Sequence, residues 1–138
     1  MKKYLSKIIA NDSEGLQMIS ACCAGAELKV SDIKYLKKNK VLLLSLIRSK
    51  IETENEDKKV NSICKFEYVD TVKSKNINQE RPDQKLQLLA LDYLKNKGNF
   101  EINLIFTNIE NQNKNAYITL SSEIIDISLE DQQKLIND

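Results

Sequence analysis

Apolar and polar positions along the chain change their period after the first helix-sized segment. Residues 4–10 (Tyr-Leu-Ser-Lys-Ile-Ile-Ala) predict a short first strand. Asn11-Asp12-Ser13 then supplies N-cap chemistry, and Glu14 suits the positive end of a helix dipole. Leu16, Ile19 and Cys23 fall at i, i+3 and i+7, which predicts an amphipathic helix from about 13 to 24, flanked by Met18 and Cys22. From Ala26 onward the period drops to two. Leu28 and Val30 alternate, then Ile33 and Tyr35 alternate with the opposite parity, so a bulge is expected at Ser31-Asp32.

Lys37-Lys38-Asn39-Lys40 predicts a hairpin turn into a strand over Val41–Arg48, apolar on both faces at first, as a central strand is. The polar stretch 49–59 reads as an exposed loop. Val60 to Lys75 reads as one long strand with Cys64, Phe66, Tyr68 and Val72 on one face. Asn76 to Asp83, with the lone Pro82, reads as the next loop. Leu86 to Leu94 predicts another strand, Asn96-Lys97-Gly98-Asn99 a tight hairpin, and Phe100 to Thr107 a cleanly alternating strand. Gln112 to Asn115 turns the chain again. In the last strand, Ile118 and Leu120 differ in parity from Ile125, Ile127 and Leu129, which predicts a bulge between Ser122 and Ile125. Ser128-Leu129-Glu130-Asp131 resembles a capping box for a short C-terminal helical turn.

Together these elements predict an α+β domain, mainly an antiparallel meander of about six or seven strands curled into a barrel or two-layer sheet. One N-terminal helix and a short C-terminal helical turn complete it. A pleckstrin-homology-like arrangement also fits, as an analogy at the level of the fold. The 138 residues show no internal repeat and no boundary, so a single domain over 1–138 is expected.

Composition narrows the function classes. Hydrophobic residues make up 41% and charged residues 30%, with three Gly and one Pro, which is globular rather than low-complexity composition. Apolar runs such as Val41–Leu44 and Leu88–Leu91 reach only four residues, against about 20 for a membrane-spanning helix. No insertion into a membrane is therefore expected. The segment after Lys2-Lys3 lacks the h-region of a signal peptide. Three Cys fit a reducing compartment better than a disulfide framework, so the cytoplasm is the expected location.

The chain contains no His. That removes the commonest general base, the commonest zinc ligand and every Ser-His-Asp or Cys-His nucleophile. The three Gly are isolated, so no phosphate loop exists. No catalytic residue, metal ligand or cofactor is assigned, and the reading points away from an enzyme; one built on carboxylates or Lys ranks third among the functions considered. Cys22-Cys23 lacks the C-x-x-C spacing and lies at the helix end that disfavours a thiolate, so packing is the better account than redox chemistry. Cys64 sits on an apolar strand face. Glu52, Glu54, Glu56 and Asp57 lack the glycine turn of a calcium loop and read as charged loop residues. Asp70 and Asp92 interrupt strands; for Asp92, exposure at a sheet edge is preferred over an inward functional carboxylate.

Residues 1–50 carry ten Lys or Arg against four Asp or Glu, while 51–138 carry eleven against sixteen. Lys34, Lys37, Lys38 and Lys40 cluster with Tyr35 on the first hairpin and are the candidate partner contact. Arg48 and Arg81 are the only arginines, which weakens base-specific or bidentate phosphate recognition and ranks nucleic-acid binding fourth. The leading expectation is a non-enzymatic protein-interaction or regulatory module with an unidentified protein partner. The alternative is a small-ligand-binding β domain, which requires a cleft holding a few convergent polar groups. A homo-oligomer stays open.

Several collinear segments resemble the domain of unknown function 2948 family, small alphaproteobacterial proteins. They are Leu5–Ala10 with Asp12, Leu16–Ala21, Leu28–Leu36, Phe66–Val69, Leu86–Tyr93, Ile118–Leu120 and Glu123–Leu129. Ser31 stands where the family tends to have a turn glycine and Lys37 where it tends to have proline. Ser45–Lys50 lacks the aromatics expected there. The resemblance implies a bacterial, cytoplasmic, single-domain protein and brings no catalytic residues with it.

Overall fold

The computed structural model describes residues 7–53, 56–111 and 114–132. Tyr4, Leu5 and Ser6 of the expected first strand, Glu54 and the Gln112-Asn113 turn lie outside the described residues, as do the side chains of Glu52, Glu56 and Asp57. The elements run β1 (Lys7–Ala10), α1 (Ser13–Cys23), β2 (Glu27–Lys29), a 3-10 turn (Val30–Asp32), β3 (Ile33–Leu36), β4 (Val41–Thr53) and β5 (Glu56–Phe66). They continue with β6 (Val69–Lys75), β7 (Lys85–Asn96), β8 (Asn99–Asn108), β9 (Asn115–Ser122) and β10 (Ile127–Asp131).

The helix forms where the pattern places it. Asp12 accepts a hydrogen bond from the Gly15 amide at 2.8 Å, satisfying one of the free N–H groups of the first turn. Leu16, Ile19 and Cys23 form its buried stripe. The helix packs against β7, where the Ser20 hydroxyl accepts from the Leu91 amide at 2.9 Å, and it also touches β1 and β10.

All strands belong to one antiparallel sheet in the order β1-β10-β5-β4-β2-β7-β8-β9-β6, with β3 paired to β4. Among the described residues there are ten strands, not six or seven, and the sheet they form does not close into a barrel. Three expected strands that each divide into two account for the larger number. The strand expected over Val60–Lys75 is two strands from different parts of the sheet. The chain turns at Glu67-Tyr68, with Tyr68 at φ 60° and exposed rather than sharing the buried face of Cys64 and Phe66. Residues 49–53 and 56–59 are strand rather than loop: β4 and β5 stay paired from Leu42↔Phe66 to Thr53↔Glu56. A register locked in the core carries on into polar sequence, because the ladder is made by backbone groups.

At Ser122–Ile125 the flip in parity marks a full break, since β9 ends at Ser122 and the chain crosses to form β10 beside β5. The expected C-terminal helical turn at Ser128–Asp131 is that strand. Its neighbours β5 and β1 supply partners on both edges, which overrides the local capping pattern. At Ser31-Asp32 the interruption is a 3-10 turn rather than a bulge, held by the Asp32 carboxylate accepting from the Lys29 amide at 2.9 Å. Register shifts occur elsewhere: between Leu88 and Ala90 in β7, which leaves Leu89 exposed, between Ile51 and Thr53 in β4, and between Val69 and Thr71 in β6.

Cross-strand rows build the core. On β4, β5 and β10 the inward rows read Leu42–Phe66–Ile127, Leu44–Cys64–Leu129 and Leu46–Ser62–Asp131. Leu86 and Leu88 of β7, Ile102, Leu104 and Phe106 of β8, and Ala116, Ile118 and Leu120 of β9 extend the same cluster. No helix among the described residues is long and apolar enough to cross a membrane.

Candidate functional site

The third inward row turns polar, and Arg48, next along β4, closes it. Its guanidinium donates to the Asp131 carboxylate at 2.9 Å through Nη2 and 3.3 Å through Nε, and to the Ser62 hydroxyl at 3.1 Å. Ser62 in turn donates to Asp131 at 2.7 Å. All three are buried. The triad joins three strands at one end of the core, and its placement is that of a structural closure. Beside it lie Cys23 of α1 and Cys64 of β5. The neighbouring Cys23 thiol and then burial push the Cys64 thiol well up, while the Cys64 thiol beside it lowers Cys23 against the opposing effect of burial. Both thiols are buried, free and packed in the core, whereas Cys22 is half-buried.

The place where the sheet fails to close is different. Among the described residues β3 is paired on one edge only, to β4, and β6 on one edge only, to β9. The two are pinned together at one end. The Val69 amide donates to the Lys40 carbonyl at 2.8 Å, and the Tyr35 hydroxyl donates to the Val69 carbonyl at 3.2 Å. Lys40 adds an exposed ion pair to Asp70 at 3.1 Å. Beyond this clasp no ladder joins β3 to β6 among the described residues. The far end is bounded by the loop 76–84, tied to the 3-10 turn by Val30 N to Gln84 O and Ser31 N to Pro82 O, each 3.0 Å.

Between the clasp and the loop lies a cleft of about 420 Å³. Leu42, Val72 and Ile118 line it with apolar surface, Ile33 and Tyr35 line it from β3, and Ser31, Ser74 and Gln79 supply polar groups. Leu42 and Ile118 belong to the buried core, so the cleft opens directly onto it. Tyr35 is the one titratable side chain among the described residues lining it, and its proton is engaged by Val69.

The expected contact residues separate into two roles. Lys34, Lys37 and Lys38 are exposed on the β3–β4 hairpin, Lys40 is exposed but paired with Asp70, and Tyr35 is half-buried in the clasp. Asp92 is exposed, but β7 is an interior strand, so its exposure comes from the outer face rather than an edge; its carboxylate accepts from Asn103 at 3.1 Å. Asp70 is engaged by Lys40. No group of three or more Cys, Asp or Glu able to hold a metal ion occurs among the described residues. The cleft itself escaped sequence reasoning because its walls come from β3, β6 and a loop far apart in the chain. The buried triad had a visible signal: Arg48 continues the parity of Leu42, Leu44 and Leu46, and Asp131 that of Ile127 and Leu129.

Fold and cleft together define a small antiparallel β domain with one packed helix and a gap in its sheet that exposes the core. A family model, Protein of unknown function (DUF2948), matches residues 6–137, and the chain belongs to that family. No curated protein and no solved structure matches the chain.

Proposed function

We propose that this protein is a non-catalytic binding domain that takes a small ligand with an apolar body into the cleft between β3 and β6. The observation that carries the reading is the unclosed seam itself: two strand edges face one cleft with core residues for its floor. Apolar lining with a few polar groups is the usual make-up of a small-molecule site, the polar groups fixing orientation. Ser31, Ser74 and Gln79 fill that role, and a lining with no acid or base beyond the engaged Tyr35 supports binding over chemistry. Screening fragments by amide shift perturbation tests this. Hits binding at roughly millimolar or better and shifting Ile33, Tyr35, Val72 and Ser74 support it; a screen in which no fragment shifts these residues overturns it.

A second reading places a protein partner on the β3–β4 hairpin, where Lys34, Lys37 and Lys38 are exposed and have no ion-pair partner among the described residues. Clustered cations without internal partners suit an acidic surface. Recovery of one acidic partner that is lost on Lys37→Glu with Lys38→Glu supports it, and unchanged recovery by the variant contradicts it. Three free thiols support a cytoplasmic setting for either reading.

A further inference from the structure

On the far side of Ile77 from the seam lies a second cleft, of about 680 Å³, lined by the loop 76–84 on one side and by Asn108, Glu110, Asn111 and Lys114 on the other. We propose that it is a binding site for a small hydroxyl-rich anion of the sugar-phosphate class.

The first observation is an unsatisfied group. Gln84 lines this cleft, is only 8% exposed, and its side-chain oxygen meets no hydrogen-bond donor among the described residues. Its backbone is fixed on both sides, the amide donating to Arg81 O at 3.0 Å and the carbonyl accepting from Val30 at 3.0 Å. A buried acceptor without a donor is destabilising, and such groups in a native fold call for an explanation. A ligand hydroxyl supplies one.

The second observation is a set of side-chain amides held in fixed directions. Asn78 uses its oxygen to accept from the Glu80 amide at 2.9 Å. Asn108 accepts from Glu110 at 2.9 Å and Asn111 at 3.2 Å. Each turn leaves its NH₂ group as a donor without a partner among the described residues. Asn76 is the reverse case, donating to Asn115 O at 2.8 Å and keeping its oxygen as an acceptor. The cleft therefore presents acceptors at Gln84 and Asn76 and donors at Asn78 and Asn108. Hydroxyls, which donate and accept, match that alternation.

Charge selects the anion. Arg81 and Lys114 line the cleft against a single acid, Glu110, which binds Arg81 through one nitrogen at 3.4 Å. The other guanidinium N–H groups and the Lys114 ammonium have no partner among the described residues and can meet a phosphate. Apart from Ile77 the described lining is polar and contains no aromatic ring, which disfavours a nucleobase or a lipid chain.

Titration of ¹⁵N-labelled protein with glucose 6-phosphate, ribose 5-phosphate, glucose and inorganic phosphate tests the proposal. At least one sugar phosphate should saturably shift the amides of Asn78, Arg81, Gln84 and Asn108. Glucose and phosphate alone should bind about tenfold or more weakly, since each lacks half of the contacts. Gln84→Met should weaken the sugar phosphate by about tenfold or more while leaving the urea midpoint unchanged or raised, because it removes the orphaned oxygen. If that variant fails to fold, Lys114→Gln gives the second reading: several-fold weaker sugar phosphate with glucose unaffected. Absence of shifts with both sugar phosphates overturns the proposal. So does phosphate binding as tightly as they do, which identifies an adventitious ion only. A folded Gln84→Met variant that binds like the wild type overturns it too.

Discussion

Replacing Asp131 by Ala removes the anion that the buried Arg48 guanidinium faces. At 2.9 Å and an effective dielectric near 20, the attraction alone is about 6 kcal/mol, which the two desolvation costs largely offset while the pair is intact. Once the carboxylate is gone, Arg48 keeps its burial with Ser62 as its remaining partner among the described residues, and Ser62 loses the acceptor for its own proton. Breaking one side of such a pair costs about 3–5 kcal/mol. A domain of this size has about 5–15 kcal/mol in total. With a urea dependence near 2 kcal/mol per molar, the midpoint should fall by about 2 M. The matched control is Arg48→Met combined with Asp131→Leu, which removes both charges and fills the space. It should lie within about 1 kcal/mol of the wild type, or above it. Urea unfolding followed by circular dichroism reads both. A loss below about 1 kcal/mol for Asp131→Ala, or a double variant as unstable as the single one, would refute the assignment of this triad as a closed, mutually dependent unit.

Three further outcomes are expected. Gly15→Ala should destabilise although Ala is the better helix former by about 1 kcal/mol, because a Cβ at position 15 would lie 2.7 Å from Ala10 Cβ and 2.9 Å from its Cα; a higher thermal midpoint in a scanning calorimeter would contradict the close approach of α1 to β1. Asp126 is held above the usual carboxylate range by burial and then by Glu67, against the opposing pull of Lys65. Its folded form thus binds a proton more readily than the unfolded chain, so its own contribution to stability falls as pH rises from the unfolded value through the folded one and stays lost above it. Asp126→Asn should remove that component, and identical urea midpoints for variant and wild type at every pH between 3 and 7 would count against it. With a thiol reagent at neutral pH, Cys22 should react in the native protein while Cys23 and Cys64 wait for unfolding, as read by mass spectrometry of the labelled peptides; rapid native labelling of Cys64 would overturn its placement.

How legible this fold was depends on how each break is made. The helix announced itself through the Asp12 cap and the spacing of Leu16, Ile19 and Cys23, and the 96–99 hairpin through Lys97-Gly98, both at positive φ. The turn at Glu67-Tyr68 carries no Gly, Pro, Asn or Asp, and a Tyr in the left-handed region is a costly choice that no local rule predicts. Parity did flag the discontinuities at Ser31-Asp32 and after Ser122. A change of parity, however, looks the same whether the strand bulges, winds a 3-10 turn or leaves for another part of the sheet. In β7 the bulge at Leu89 hid inside the run Leu88–Leu91, where every residue is apolar and no alternation can be read. The β4–β5 ribbon was hidden by composition, since its distal pairs are polar and its register comes from the core. The seam cleft depends on which strands remain unpaired, a property of topology that local periodicity does not hold.

The most direct test of the central claim is to fill the seam. Val72→Trp places a large ring against Leu42 and Ile118 in the cleft between β3 and β6. Fragments that bind the wild type should then lose their shifts at Ile33, Tyr35 and Ser74, while the α1, β1 and β10 resonances keep their native positions. Unchanged fragment binding in a correctly folded Val72→Trp variant would contradict the account, because the ligand would then be held somewhere other than the gap in the sheet.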